Sequence, residues 1–148
     1  MQYTEAKMGR VFIVRLHDSD HLPNVLEDFA QTQKIKTAIC FFIGGAKDNS
    51  RVVVGPKDGN AFPPEAMTTI LKGVHEACGI GTIIQNEEGI AKLHMHAAFG
   101  RGQETITGCV RMGMDVWQIG EVLILELSCE QTRRAMDCKT GFEFLEVG

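Results

Sequence analysis

His94 and His96 stand two residues apart in a segment whose hydropathy alternates. From Lys92 to Phe99, Leu93, Met95, Ala97 and Phe99 share one face of an extended strand, and Lys92, His94, His96 and Ala98 share the other. Side chains at i and i+2 on a pleated strand are neighbours, near enough for two imidazoles to reach one metal ion. The apolar face packs; the histidine face is left for chemistry or for a subunit contact. Cys109 follows thirteen residues after His96, across the glycine-rich turn Gly100-Arg101-Gly102. Two imidazoles and a thiolate are good ligands for a tetrahedral zinc, and His75 is a candidate fourth. Arg111, two residues beyond Cys109, should share its face, where a guanidinium favours a thiolate or holds an anion. Glu76 points away from His75 on a regular strand, which removes it from the ligand set but leaves it as a possible ligand contact or assisting group.

Positioning these groups falls mainly to strands. Arg10 to Leu16 alternates and is rich in β-branched residues, which predicts a first strand. Leu22 to Gln33 carries apolar residues at helical spacing behind Asp18 and Asp20, and predicts the main helix. Thr37 to Ile43 is nearly all apolar, as expected of a strand buried on both faces. Arg51 to Val54 is a short strand, followed by loop through Pro63-Pro64. Ile70 to Ile84 is strand material interrupted by Gly73, Gly79 and Gly81, which mark bulges or close backbone approach. Asn86 to Gly89 is a turn, so this strand and the histidine strand form a hairpin. Ile106 to Met112, Val122 to Leu127 and Phe142 to Val147 read as strands, and Gln131 to Asp137 as a short helix with local pairs between Arg133, Arg134 and Asp137. The sum is an α+β fold: a strongly bent, mainly antiparallel β-sheet with one or two helices.

Composition narrows the class. At 148 residues the chain, 1–148, reads as a single domain with room for a hydrophobic core. Fifteen basic against nineteen acidic residues give a formal charge of −4, the wrong sign for holding nucleic acid by broad phosphate neutralisation. The five cysteines are scattered without a Cys-x-x-Cys pair, which suits reduced thiols and a cytoplasmic location. No stretch approaches the length of a membrane-spanning segment. Gly79-Ile80-Gly81 lacks the third glycine of a dinucleotide fingerprint, and Ala97 to Arg101 lack the carboxylate that a cupin places after its histidine pair. His17 and His21 flank the helix as solvated residues, and Cys40 belongs to the core.

The order of motifs along the chain is itself informative. Gly9-Arg10, Phe42-Ile43-Gly44-Gly45, His75-Glu76 leading to Gly81-Thr82-Ile83, Leu93 to His96, Thr107-Gly108-Cys109, Gly120-Glu121-Val122, and Arg134 with Asp137, Thr140 and Gly141 follow in sequence. This series resembles the PPC domain, the plant and prokaryote conserved domain, over roughly residues 6 to 147. The resemblance implies a bent antiparallel sheet with few helices, assembly as a homotrimer, and a zinc site built on the His-x-His strand. The family commonly has Gly-His where this chain has Gly108-Cys109. Plant members bind AT-rich DNA through a separate basic arm that this chain lacks.

Three functions follow as expectations. The first is a homotrimer holding zinc with His94, His96, Cys109 and His75. The second is a DNA-associated regulator, which requires Lys34, Lys36, Lys47, Arg51, Arg101 and Arg111 to gather on one face. The third is a metal-dependent enzyme acting on a small molecule through an open coordination position, assisted by Arg111 or Glu76.

Overall fold

The computed structural model describes residues 1–129 and 131–148. In chain order its strands are β1 (Lys7–Leu16), β2 (His21–Leu22), β3 (Thr37–Ala46), β4 (Arg51–Pro56), β5 (Ala66–Ile70), β6 (His75–Gln85), β7 (Ala91–Arg101), β8 (Glu104–Cys109), β9 (Met114–Ser128), β10 (Thr132–Met136) and β11 (Glu143–Val147). One helix, α1 (Asn24–Thr32), lies between β2 and β3, and a single 3-10 turn, Val110–Met112, follows β8. The main sheet runs β1-β9-β3-β6-β7-β8-β4-β5, with β2 beside β9, and β10 and β11 form a separate hairpin. All strand pairings are antiparallel. The sheet bends far enough for its two halves to meet. Four strands separate β9 from β4 within the sheet, yet Arg51 N–H of β4 donates to the Gly113 carbonyl at 2.8 Å, at the entry to β9.

Amphipathic patterning explains the layering. Leu26 and Ala30 of α1 are fully buried, with Phe29 partly so, and they join Phe42, Met95, Phe99, Val122 and Ile124 in one core. Helix α1 starts at Asn24 rather than at Leu22, because Pro23 occupies the N-cap and Leu22 is drawn into β2. Within the core strand, Cys40 is buried and its thiol is pushed up to about 12 by loss of solvent, so it is chemically inert.

Several boundaries differ from the sequence reading. The stretch Ile70 to Ile84 divides into the end of β5 and nearly all of β6, with the chain bending at Gly73, whose φ is +82°. Gly79 and Gly81 are not bulges: β6 pairs with β3 and with β7 without a register shift. They serve close approach, since a Cβ at Gly81 would meet the Met95 Cβ at 2.7 Å. Strand β9 begins eight residues before the expected Val122 and takes a bulge opposite Gly44 and Gly45. Residues 132–136 are not helical. They form β10, in register with β11, because Arg133 lies opposite Glu146 and bonds it at 2.8 Å, while Asp137 accepts from Thr140 to close the turn. Strand β3 is buried on one face only; Phe41 and Ile43 point outward and are 40% and 54% exposed.

Strand β8 is held against β4 by a glycine. A Cβ at Gly108 would lie 2.4 Å from the Val53 carbonyl oxygen and 2.5 Å from the Val52 Cγ1. Gly108→Ala is therefore expected to destabilise the domain by roughly 1–3 kcal/mol, the usual cost of overpacking. Urea unfolding compared with the unsubstituted protein checks this; an unchanged midpoint contradicts the close packing.

Candidate metal centre

The histidine strand is fixed on three sides. Its apolar face (Leu93, Met95, Ala97, Phe99) is buried in the core. One edge pairs with β6 along its whole length, from Ala91 to Gly100. On the other edge β8 covers only His96 to Arg101. Two amides beyond it are met by the helix: Gln31 Oε1 accepts from Ala91 N–H at 3.0 Å, and Glu27 Oε1 from Leu93 N–H at 2.9 Å. A free strand edge exposes such donors, and these two side chains close it.

His94 and His96 rise from the opposite face. Their rings meet edge-on with Nε2 atoms 3.2 Å apart. Two nitrogens on a tetrahedral zinc stand about 3.3 Å apart at ordinary Zn–N lengths, so the pair already has the required spacing. Cys109 lies directly across from His96 in the β7–β8 register, and directly opposed residues of an antiparallel pair share a face. One ligand atom from each of His94, His96 and Cys109 falls within 4.8 Å of the others. Cys109 is buried and the two histidines are exposed, so the cluster has a closed floor and an open top.

The other expected site residues divide. His75 is not brought to the cluster. It begins β6 five residues before Ile80, the residue opposite His96, which places it roughly 16 Å away at about 3.3 Å per residue. It also faces the other side of the sheet, buried, with Nδ1 2.9 Å from the Gly73 carbonyl. Glu76 shares the histidine face but pairs with Gly100, four residues past His96 and roughly 13 Å from it. Arg111 does line the cavity above the histidines, though not by strand alternation. Strand β8 ends at Cys109, and Arg111 is carried there by the 3-10 turn, with its guanidinium 5.6 Å from the Phe142 ring centroid.

The residue that sequence reasoning assigned elsewhere is Arg134. In place of a helix-surface pair with Asp137, it lies on β10 and donates to Thr82 Oγ1 at 2.9 Å. Thr82 is the cross-strand neighbour of His94. The guanidinium thus sits beside the imidazole, and Phe142, Glu143 and Phe144 of the same hairpin complete that wall. The signal for this hairpin was two alternating segments, Thr132–Met136 and Glu143–Val147, around a turn of Asp137, Thr140 and Gly141. The cavity measures about 520 Å³, in the range of small-molecule sites. His21 is exposed, as expected, and pairs with Asp115 at 2.6 Å, away from the cavity lining.

The charges around His94 act in one direction. Loss of solvent, the positive charge of Arg134, and then those of His96 and Arg111 push its pKa below the ordinary 6.5. The imidazole is therefore neutral at neutral pH, the state that donates a lone pair to a metal.

The chain belongs to the Plants and Prokaryotes Conserved (PCC) domain family, whose model matches residues 3–128. Hairpin β10–β11 lies beyond that segment. The fold is that of a plant- and prokaryote-conserved protein from Pyrococcus horikoshii, 24% identical, with a TM-score of 0.84 over 99% of this chain and 97% of the other. A metal-containing protein from Archaeoglobus fulgidus is 23% identical, with a TM-score of 0.83 over 97% and 98%. A "putative DNA-binding protein" from Ralstonia eutropha is 20% identical, with a TM-score of 0.71 over 92% and 90%. No functionally curated protein matches the chain.

Because the folded state binds a proton at His94 more weakly than the unfolded chain, this contribution to stability is complete above pH 6.5 and is lost as pH falls through the lowered folded value. In metal-free protein, the His94 ring signals should titrate below 6.5, and Arg134→Gln should move that midpoint upward. An NMR titration of the ring protons checks both; a midpoint above 6.5 contradicts the arrangement.

Proposed function

We propose that this protein is a cytoplasmic homotrimer that binds one zinc ion per chain through His94, His96 and Cys109. The observation that carries the reading is the convergence of three good zinc ligands, from two paired strands, to within 4.8 Å. Two nitrogens and one thiolate leave a fourth position on the open side. Three protein ligands with an open position are the pattern of catalytic rather than structural zinc, and such an ion supplies a Lewis acid at the cavity floor. The metal content of the Archaeoglobus fulgidus protein, which has the same fold, supports the reading.

The homotrimer rests on the outer face of the sheet. Ile13 pairs with Leu123, Leu123 with Phe41, Phe41 with Ile80, and Ile80 with His96. These four apolar side chains form one row across β1, β9, β3 and β6, exposed by between 40% at Phe41 and 86% at Ile13. An apolar stripe of this continuity on a free chain marks an association surface. It runs up to the histidine pair, so assembly and metal site share a border.

A DNA-bound role has the name of the Ralstonia eutropha protein behind it and the formal charge of −4 against it. The charge decides for the metal-binding reading.

Elemental analysis of untagged protein should give about one zinc per chain, and His94→Ala/His96→Ala should lose it while keeping the fold, since neither side chain belongs to the core. Zinc retained by the double variant would refute the ligand assignment. Light scattering should give three times the chain mass, and Phe41→Asp with Ile13→Asp should yield monomer by desolvating charge in the apolar row. A monomeric parent protein refutes the assembly.

A further inference from the structure

We propose that the cavity above His94, His96 and Cys109 is a binding site for a small organic carboxylate, with Arg134 and Arg111 as its anion-recognising groups. This rests on the metal-binding reading only for the neighbouring ion; the anion site stands on the arginines. Arg134 is 8% exposed and uses one donor, toward Thr82. Among the described residues, no carboxylate comes within ion-pair range of it, although Glu143 on the same wall acts on it from farther away. Buried guanidinium groups are ordinarily paired, and their fork of donors fits a carboxylate. Loss of solvent lowers its pKa, the direction expected of a cation short of a counter-charge. Arg111 adds a second guanidinium to the same cavity, held over Phe142.

The walls select the body of the ligand. Phe142, Phe144 and Pro23 line the cavity and offer apolar surface that inorganic phosphate cannot use. Glu27 and Glu143 are also lining residues and disfavour a second negative charge. A monocarboxylate with an apolar or aromatic body satisfies all of these groups. Its carboxylate would face the two arginines and lie beside the open side of the ligand cluster.

Isothermal titration with benzoate, acetate and inorganic phosphate tests the assignment, with zinc content recorded on each sample. Benzoate should bind saturably, more tightly than acetate or phosphate, and Arg134→Gln should weaken it by at least about tenfold, the effect of removing a hydrogen bond to a charged group. Arg111→Gln should also weaken it; this residue lies on an exposed turn and makes no bond to the sheet, so its variant folds even where Arg134→Gln does not. Thr82→Val removes the structural anchor of Arg134 but not its charge, and should retain most of the binding. Equal loss in Thr82→Val and Arg134→Gln would reduce Arg134 to a structural tie and overturn the proposal. So would unchanged affinity in both arginine variants, absence of saturable benzoate binding, or tighter binding of phosphate. Arginine-dependent benzoate binding by a protein that holds no zinc would uphold the carboxylate site and sink the metal reading alone.

Discussion

The pairing register of the sheet is the constraint on which the remaining features depend. One cross-strand row runs from Ile13 through Leu123, Phe41, Ile80 and His96 to Cys109, spanning β1, β9, β3, β6, β7 and β8. A slip of one residue in any pair would send that strand's side chains to the opposite face. At β7 it would bury His94 and His96 and expose Met95. The register is held by the burial of Met95, Ala97 and Phe99, by Gly81 and Gly108 where backbones approach too closely for a side chain, and by Glu27 and Gln31 at the open strand edge. Ligand geometry is thus a by-product of core packing, which gives a site on strands more precision than one on loops.

The electrostatics of the cavity are unusual for an acidic protein. Arg111, Arg134 and Lys92 line a space whose floor carries two imidazoles and a buried thiol, while the chain as a whole has a formal charge of −4. These three cations outnumber Glu27 and Glu143 on the same walls, and where the walls exclude part of the solvent the excess positive field is less screened than that of surface charges. Loss of solvent and that field together hold His94 neutral, and the field favours anions at the same place. A metal ion would add to it.

The hairpin β10–β11 supplies the wall of the cavity above the metal ligands. The family segment ends at residue 128, before the hairpin begins. It reaches back over the sheet through Thr132, whose hydroxyl meets that of Thr37 at 2.8 Å, and through Arg134 on Thr82. The sheet therefore sets the metal ligands, and the terminal hairpin shapes the cavity above them. Two parts with separate roles allow the same ligand cluster to serve different ligands.

Local pattern was enough to identify the split faces of the histidine strand, the turn at Asn86 to Gly89 and the main helix, because each is written in nearest-neighbour alternation or spacing. The ordered motifs carried the fold class. Cys109 was legible as a partner of His96 because only a short turn separates their strands. Its neighbour Arg111 reached the cavity for a reason the pattern did not contain, a 3-10 turn that ends β8 at the cysteine. His75 shows the limit from the other side: ligand chemistry in the right neighbourhood of the sequence, placed on the wrong face and too far along β6 by a register set through long-range pairing. Arg134 lies 40 residues from His94 in sequence, and only the folding of β10 onto Thr82 makes it a neighbour. The outward face of β3 was likewise hidden, since an apolar run looks the same whether its second face meets its own core or another chain. Composition and alternation determined what each strand offers; the pairing of distant strands, a cooperative outcome of the whole core, decided which offers meet.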